Sequence, residues 1–149
     1  MRLALTVNGR ERIAETAPAR RLADLLRDEF GLTGTKIGCN AGDCGACTVL
    51  LDSEQVCACL VSAAQAAGRS VVTVEGLAQS GKLTALQSAF LRHGAAQCGI
   101  CTPGMLMAAA DLLAREPHPD EKGVRDALGG VLCRCTGYRK IVEAVLDVA

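Results

Sequence analysis

Aromatic residues are almost missing from this sequence of 149 residues, which has no tryptophan, one tyrosine and two phenylalanines. The aromatic platforms on which proteins stack nucleic-acid bases are therefore absent. A surplus of either charge is lacking too, because 16 basic residues balance 16 acidic ones. That balance excludes a generally basic surface for nucleic acid or anionic membranes. Half of the residues are apolar, which suffices for a globular core and excludes disorder of the whole chain.

Long uninterrupted apolar segments are also missing. The longest window without charge, residues 94–110, is broken by glycine, proline and cysteine, so it does not predict a membrane span. The apolar stretch in the first ten residues is too short for a secretory signal, and Asn8-Gly9 ends it. We therefore expect a cytoplasmic protein, with export alongside a partner as the alternative. In a reducing compartment thiols stay reduced, so a disulfide framework is not expected.

The first half of the chain is predicted to form a small mixed sheet with one helix. Residues 2–7 alternate in polarity and end at Asn8-Gly9, the strongest two-residue hairpin signal. Leucines at helical spacing predict a short helix over about 21–30, which Gly31 ends. The other predicted segments are a returning strand at 10–16, a glycine-rich loop at 31–46, short strands at 48–51 and 71–74, and a turn at Ser53-Glu54.

The composition changes near residue 76, and nearly every later segment has a helical pattern. Residues 76–82 are predicted to link two domains, which would span 1–76 and 77–149. Domains this small bury little apolar surface, and a structural cofactor in each would offset that deficit. Four short helices are expected over about 85–93, 103–115, 120–128 and 137–148. Their N-terminal signals are a Thr84–Gln87 capping box, Thr102 before Pro103, and Thr136.

Cysteine is the unusual feature, with nine residues in the chain. Three of them stand at C-x4-C-x2-C in and after the glycine-rich loop, and a fourth follows after eleven residues. This is the plant-type ferredoxin spacing for a [2Fe–2S] cluster, with ligands Cys39, Cys44, Cys47 and Cys59. Glycines permit positive φ there and turn backbone N–H groups toward the cluster. A zinc site is the lesser alternative, because zinc usually takes paired CxxC knuckles. Cys57 remains as a spare, expected to be a small buried thiol, with a swap into the ligand set as the lesser alternative.

A second set of four cysteines lies in the other half of the chain. It pairs Cys98 and Cys101 at C-x2-C with Cys133 and Cys135 at C-x-C. Each pair precedes a predicted helix, so two helix N-termini would favour negative charge, by about 0.3–1 kcal/mol each. Arg134 adds positive charge, which raises the potential of a redox centre. Spacing alone leaves open a second iron–sulfur cluster, a zinc site and a redox-active CxxC, and the second pair argues against the last.

The motifs GCNAGDCGACTVLLD, CACL, VEGL, QCGICTPG and LCRCTGYRKIVEAV follow one another along almost the whole chain. In these motifs the chain resembles the small iron–sulfur subunit of the molybdenum hydroxylases, a family that includes xanthine dehydrogenase, aldehyde oxidoreductase and carbon monoxide dehydrogenase. The resemblance implies an α+β fold, with a plant-ferredoxin-like β-grasp domain followed by an all-α four-helix domain. It further implies one [2Fe–2S] cluster on each set of four cysteines.

The resemblance also implies an electron-transfer role within a multi-subunit oxidoreductase. Electrons would come from the molybdopterin of a large partner subunit and leave to an FAD-containing subunit or a cytochrome. Gln97 matches the family's glutamine beside the molybdopterin, and Cys135 matches the cluster ligand nearest to it. No catalytic residue is expected in this chain. Gly130-Val131 departs from the Gly-Asn that is frequent in the family, and a zinc-stabilised interaction module is the alternative from another functional class.

Overall fold

The computed structural model describes residues 1–78 and 80–149, and its first half is built on a mixed five-stranded sheet. The order across the sheet is β2-β1-β5-β3-β4, in which β1 and β5 are parallel and the other neighbours are antiparallel. The α+β class is therefore confirmed. The strands are β1 (Arg2–Val7), β2 (Arg10–Glu15), β3 (Thr48–Leu51), β4 (Glu54–Cys57) and β5 (Ser70–Val72).

The hairpin predicted at the N-terminus is confirmed, and its face forms the first core. Asn8 and Gly9 both adopt positive φ, which matches the twist of a two-residue hairpin, and Val7 pairs with Arg10. The alternating leucines of β1 are buried on one face. Helix α1 (Leu22–Asp24) packs on that face and continues as wider π-helical turns over Leu25–Glu29.

Two elements of the first half were not predicted, and one prediction was wrong. The turn before β4 lies at Asp52 and Ser53, both with positive φ, so Glu54 opens the strand instead of completing the turn. Strand β4 was missed because its sequence EQVC does not alternate in polarity. Helix α2 (Ala63–Ala66) is too short to show periodicity, although its Ser62–Gln65 capping box was a readable signal.

Four helices follow in the described part of the second half, close to their predicted positions. They pack their apolar faces into a second core that includes the fully buried Met105, and Met107 is also fully buried but lies outside that cluster. The Thr84–Gln87 capping box is confirmed. The linker prediction at 76–82 includes Gln79, which lies outside the described residues. The helices are α3 (Ala85–His93), α4 (Thr102–Arg115), α5 (Glu121–Leu128) and α6 (Arg139–Leu146). Among the residues described, no helix is long and apolar enough to span a bilayer.

The other two predicted helix caps were wrong. Cys101 occupies the N-cap of α4 and Thr102 is already helical, with a buried hydroxyl that has no partner among the described residues. Helix α6 begins only at Arg139, after Tyr138 in the left-handed region, so Thr136 does not cap it. The Thr136 hydroxyl lies against a cysteine sulfur instead.

Helix α4 joins the two halves by packing against the hairpin of β3 and β4. The Gln55 amide donates to Asp111 at 2.6 Å, and the Arg115 guanidinium donates to the Ser53 carbonyl at 3.2 Å. Asp111 and Arg115 therefore lie on the side of α4 that faces the sheet. The two cores are therefore held in a fixed relation, which positions the two cysteine sets.

Candidate metal centres

The loop before β3 surrounds the outer two sulfurs of the first set with backbone donors. Ala41, Asp43 and Cys44 each donate an N–H to the Cys39 sulfur at 3.3 Å. Cys44 Sγ accepts from Cys39 N–H at 3.3 Å and from Ala46 N–H at 3.5 Å. Because these dipoles stabilise a thiolate, they lower the pKa of Cys39 to about 7. The same donors would stabilise the negative charge of a bound cluster.

The inner two sulfurs of the first set lie in the sheet core. Cys47 and Cys59 are only 3% and 4% exposed, and their thiols are in hydrogen-bonding contact. Burial raises the pKa of Cys47 to about 12, against the opposing effect of a hydrogen bond from the Cys59 backbone. Two buried thiols side by side become thiolates only when a bound cation compensates their charge. In the first set, Cys47 and Cys59 are thus buried, Cys44 is half-buried and Cys39 is exposed.

The absence of a side chain at Gly38 leaves room for the Cys44 sulfur of the first set. A Cβ on Gly38 would lie 2.7 Å from Cys44 Sγ, closer than such atoms approach. We expect Gly38→Ala to displace that sulfur and to lower the iron content of the first set. A matched change is Gly130→Ala, whose Cβ would meet no atom within 4 Å, and it should leave iron unchanged. Equal iron contents in the two purified variants would contradict this expectation.

The second set also has an inner and an outer side, because Cys101 is buried, Cys133 is half-buried, and Cys98 and Cys135 are exposed. Burial raises the pKa of Cys101 to about 12, and the Cys133 thiol beside it acts in the same direction. On the outer side, the adjacent Cys98 thiol raises the pKa of Cys135. Of the two expected helix N-termini, only α4 directly follows a ligand pair, because a turn separates Cys135 from α6.

Gln97 and Cys135 lie together at the surface of the second half. The Gln97 amide donates to the Cys135 carbonyl at 3.1 Å, and both residues are exposed. Exposed apolar side chains border them, since Ile100 is 44% and Leu132 is 56% exposed. The outer edge of the second set is therefore accessible and partly apolar.

The two cysteine sets meet along a seam of close backbone contacts at Gly45, Gly104 and Gly130, with Leu132 beside them. The Leu132 N–H donates to the Cys44 carbonyl at 2.8 Å, which links a residue beside Cys133 to a residue of the first set. Gly45 packs directly on the Gly130 carbonyl. Gly104, at the start of α4, lies against the Gly45 carbonyl from the other side. Side chains at Gly45 and Gly104 would push the two sets apart.

The donor geometry fits a dinuclear cluster in each set. Across residues 1–78 and 80–149, no group of three or more His, Cys, Asp or Glu side chains is arranged around a single ion. Neighbouring thiols influence one another within each set: Cys39 with Cys44, Cys47 with both Cys59 and Cys57, Cys101 with Cys133, and Cys98 with Cys135. A [2Fe–2S] cluster takes four cysteines, two on each iron.

Three residues near the sets were interpreted differently or missed from sequence. Thr136, expected as a helix cap, contacts the Cys133 sulfur at 3.0 Å, and the Tyr138 hydroxyl accepts from Cys133 N–H at 2.9 Å. The signal was present in the run CRCTGY, but a turn that folds back on its own cysteine has no periodicity to reveal it. Cys57, expected as a spare, is half-buried and its thiol lies 3.8 Å from the Gly42 carbonyl.

Two protein families match the sequence. The family described as 2Fe-2S iron-sulfur cluster binding domain covers residues 5–78, and the one described as [2Fe-2S] binding domain covers residues 73–146. Together they include both cysteine sets. These matches favour iron–sulfur chemistry over the zinc alternative.

Individual relatives share nearly the whole chain. The small FeS subunit of nicotinate dehydrogenase from Eubacterium barkeri is 49% identical over 141 residues, covering 95% of this chain and 90% of that subunit. Quinoline 2-oxidoreductase from Pseudomonas putida 86 contains a chain that superimposes with a TM-score of 0.96 at 52% identity, covering 99% and 91%. Aldehyde oxidoreductase from Desulfovibrio desulfuricans gives 0.95 at 43% identity, covering 99% of this chain but 17% of that one.

Proposed function

This chain belongs to the small iron–sulfur subunits of the molybdenum hydroxylase family, and we propose that it relays electrons through two [2Fe–2S] clusters inside such an oxidoreductase complex. The observation that carries the proposal is the presence of two complete four-cysteine sets joined by one backbone seam. No substrate chemistry takes place in this chain. Substrate oxidation belongs to the large partner subunit.

Each cluster is assigned to one set and one domain. The domain over residues 1–76, a plant-ferredoxin-like β-grasp, would use the first set, whose ligands are Cys39, Cys44, Cys47 and Cys59. The domain over residues 77–149, an all-α four-helix unit, would use the second, whose ligands are Cys98, Cys101, Cys133 and Cys135. The separate hydrophobic cores of the two halves support this division. When bound, each cluster supplies a one-electron redox centre.

The protein's own contribution is to hold the sites in order and to exclude water from their inner edges. Each set contains at least one buried and at least one exposed cysteine, so each site has an inner and an outer edge. The seam hydrogen bond from Leu132 N–H to the Cys44 carbonyl fixes the separation between the sets. This arrangement supports electron entry at the exposed edge of one set and electron exit at the exposed edge of the other.

The exposed edge around Cys98 and Cys135 is proposed to face the molybdopterin of the large subunit, with Gln97 beside it. The apolar side chains of Ile100 and Leu132 border this edge and offer area for a protein partner. In the aldehyde oxidoreductase, the matching region makes up only 17% of a longer chain. Because the matching region is covalently part of a longer chain in that enzyme, we infer that a separate large subunit docks tightly onto this chain. The other edge, near Cys39, would face an FAD-containing subunit or a cytochrome.

Metal analysis of the intact complex tests the proposal directly. We expect about four irons and four acid-labile sulfides per chain, with two distinct EPR signals after reduction. Two irons with one signal would contradict the two-cluster assignment. Zinc without sulfide would replace the proposal by a zinc-stabilised interaction module.

A further inference from the structure

The loop between Cys133 and α6 folds back onto its own first residue. The Cys133 N–H donates to the Tyr138 hydroxyl at 2.9 Å, and the Tyr138 N–H donates to Thr136 Oγ1 at 3.1 Å. Thr136 contacts the Cys133 sulfur with its N–H at 3.4 Å and its hydroxyl at 3.0 Å. Thr136 and Tyr138 in this short turn therefore both contact Cys133.

The direction of the hydroxyl contact follows from the number of protons. Thr136 Oγ1 already accepts the Tyr138 N–H, and a hydroxyl carries a single proton. A ligating thiolate has no proton to give, so the hydroxyl must donate to Cys133 Sγ. The contact is then a charge-assisted hydrogen bond, which is stronger than one between neutral groups.

The backbone conformation of Tyr138 places its N–H against Thr136 Oγ1, the proposed hydroxyl donor. Tyr138 has φ +68, a left-handed conformation that is rare for a bulky residue, and it follows Gly137 at φ +66. Such strain persists only where surrounding contacts impose it. Here the conformation lets both its N–H and its hydroxyl reach back to the turn.

We propose that Thr136 is a positioning residue which raises the reduction potential of the C-terminal cluster by donating its hydroxyl proton to the Cys133 thiolate. This inference rests on the proposed function, because it requires Cys133 to be a cluster ligand. Reduction adds negative charge to the cluster, and a donor at a ligand sulfur stabilises that charge. A higher potential at the second set favours its role as the first acceptor from the partner's molybdenum centre.

The test is a redox titration of the intact complex, followed by EPR. Thr136→Val keeps the side-chain shape but removes the donor. At a fixed potential, its reduced-to-oxidised ratio for the C-terminal cluster should fall on the order of tenfold, about 59 mV for one electron. Thr136→Ser keeps the hydroxyl and should titrate like the unchanged protein. The signal of the N-terminal cluster should stay in place in both variants.

Other outcomes are equally informative. An unchanged C-terminal potential in Thr136→Val, or equal shifts in both clusters, would overturn the inference. Should Thr136→Val lose the cluster, Thr136→Ala provides a second measurement. Cluster loss in both, with retention in Thr136→Ser, would mean that the hydroxyl holds the cluster and does not tune it, which also overturns the inference. Failure of the proposed function would look different, because the unchanged complex itself would lack two signals.

Discussion

Replacing Cys59 by alanine is expected to leave the chain with one cluster and about two irons, while replacing Cys57 by alanine leaves about four. Cys59 is buried against Cys47, and the pair forms the inner half of the first set. Without it, one iron would lose a ligand. One of the two EPR signals should disappear.

Cys57 is the matched control because it lies two residues away in the same environment. Its thiol is half-buried, close to the Gly42 carbonyl, and burial raises the pKa of Cys57 in the cluster-free site. Both changes remove the same atoms, so the loss of packing is similar. The difference in iron between the two variants therefore isolates ligation from packing.

The measurement combines iron, acid-labile sulfide and EPR on the purified complex. Because a bound metal centre contributes folding free energy, Cys59→Ala should also unfold at lower denaturant concentration than Cys57→Ala. Equal iron contents would show that Cys59 is not a ligand. Iron loss in Cys57→Ala alone would exchange the roles of the two thiols.

Sequence reasoning succeeded where structure is determined by neighbours along the chain. The hairpin at Asn8-Gly9 and the capping box at Thr84 depend on residues within a few positions, and both are confirmed. Strand β4 and the true turn at Asp52-Ser53 were not found, because β4 forms by pairing with β3 and not by its own pattern.

The candidate sites show the same limit. Spacing predicted a cluster site at the first four cysteines, since a loop that wraps a cluster dictates local intervals, but it left the chemistry of the second four open. It did not reveal how Gly45 and Gly104 close the two sets on each other, because those contacts join segments nearly sixty residues apart. It also misassigned Thr136, whose capping propensity is satisfied by a sulfur instead of a helix end.

The seam between the two sets should tolerate almost no added volume, and Gly45→Ala tests this. Gly45 has φ +71, and a Cβ there would overlap the Gly130 carbonyl oxygen and approach the Val131 backbone at 3.0 Å. The loop cannot shift to relieve the overlap, since Thr48 holds the Gly45 carbonyl with its N–H at 3.1 Å and its hydroxyl at 2.7 Å. All the atoms in conflict are backbone atoms.

Gly68→Ala is the matched control for backbone strain. Gly68 also has φ +71, but a Cβ there would meet nothing within 4 Å. Alanine in the left-handed region alone costs roughly 1–2 kcal/mol, which is the loss expected for Gly68→Ala. Gly45→Ala adds a steric conflict that moves buried backbone, so its free energy of unfolding should fall by more than about 3 kcal/mol.

Displacement of the Gly45 backbone should also affect electron transfer between the two clusters. Opening the seam at Gly45 separates the Cys44 carbonyl from Leu132 N–H, the hydrogen bond that links the two cysteine sets. Gly45→Ala should therefore slow the reduction of the N-terminal cluster after the C-terminal one, in rapid-mixing EPR of complexes that retain four irons. Gly68→Ala should transfer at the unchanged rate. Equal unfolding free energies and equal rates for the two variants would show that the seam is not the rigid connection between the sets.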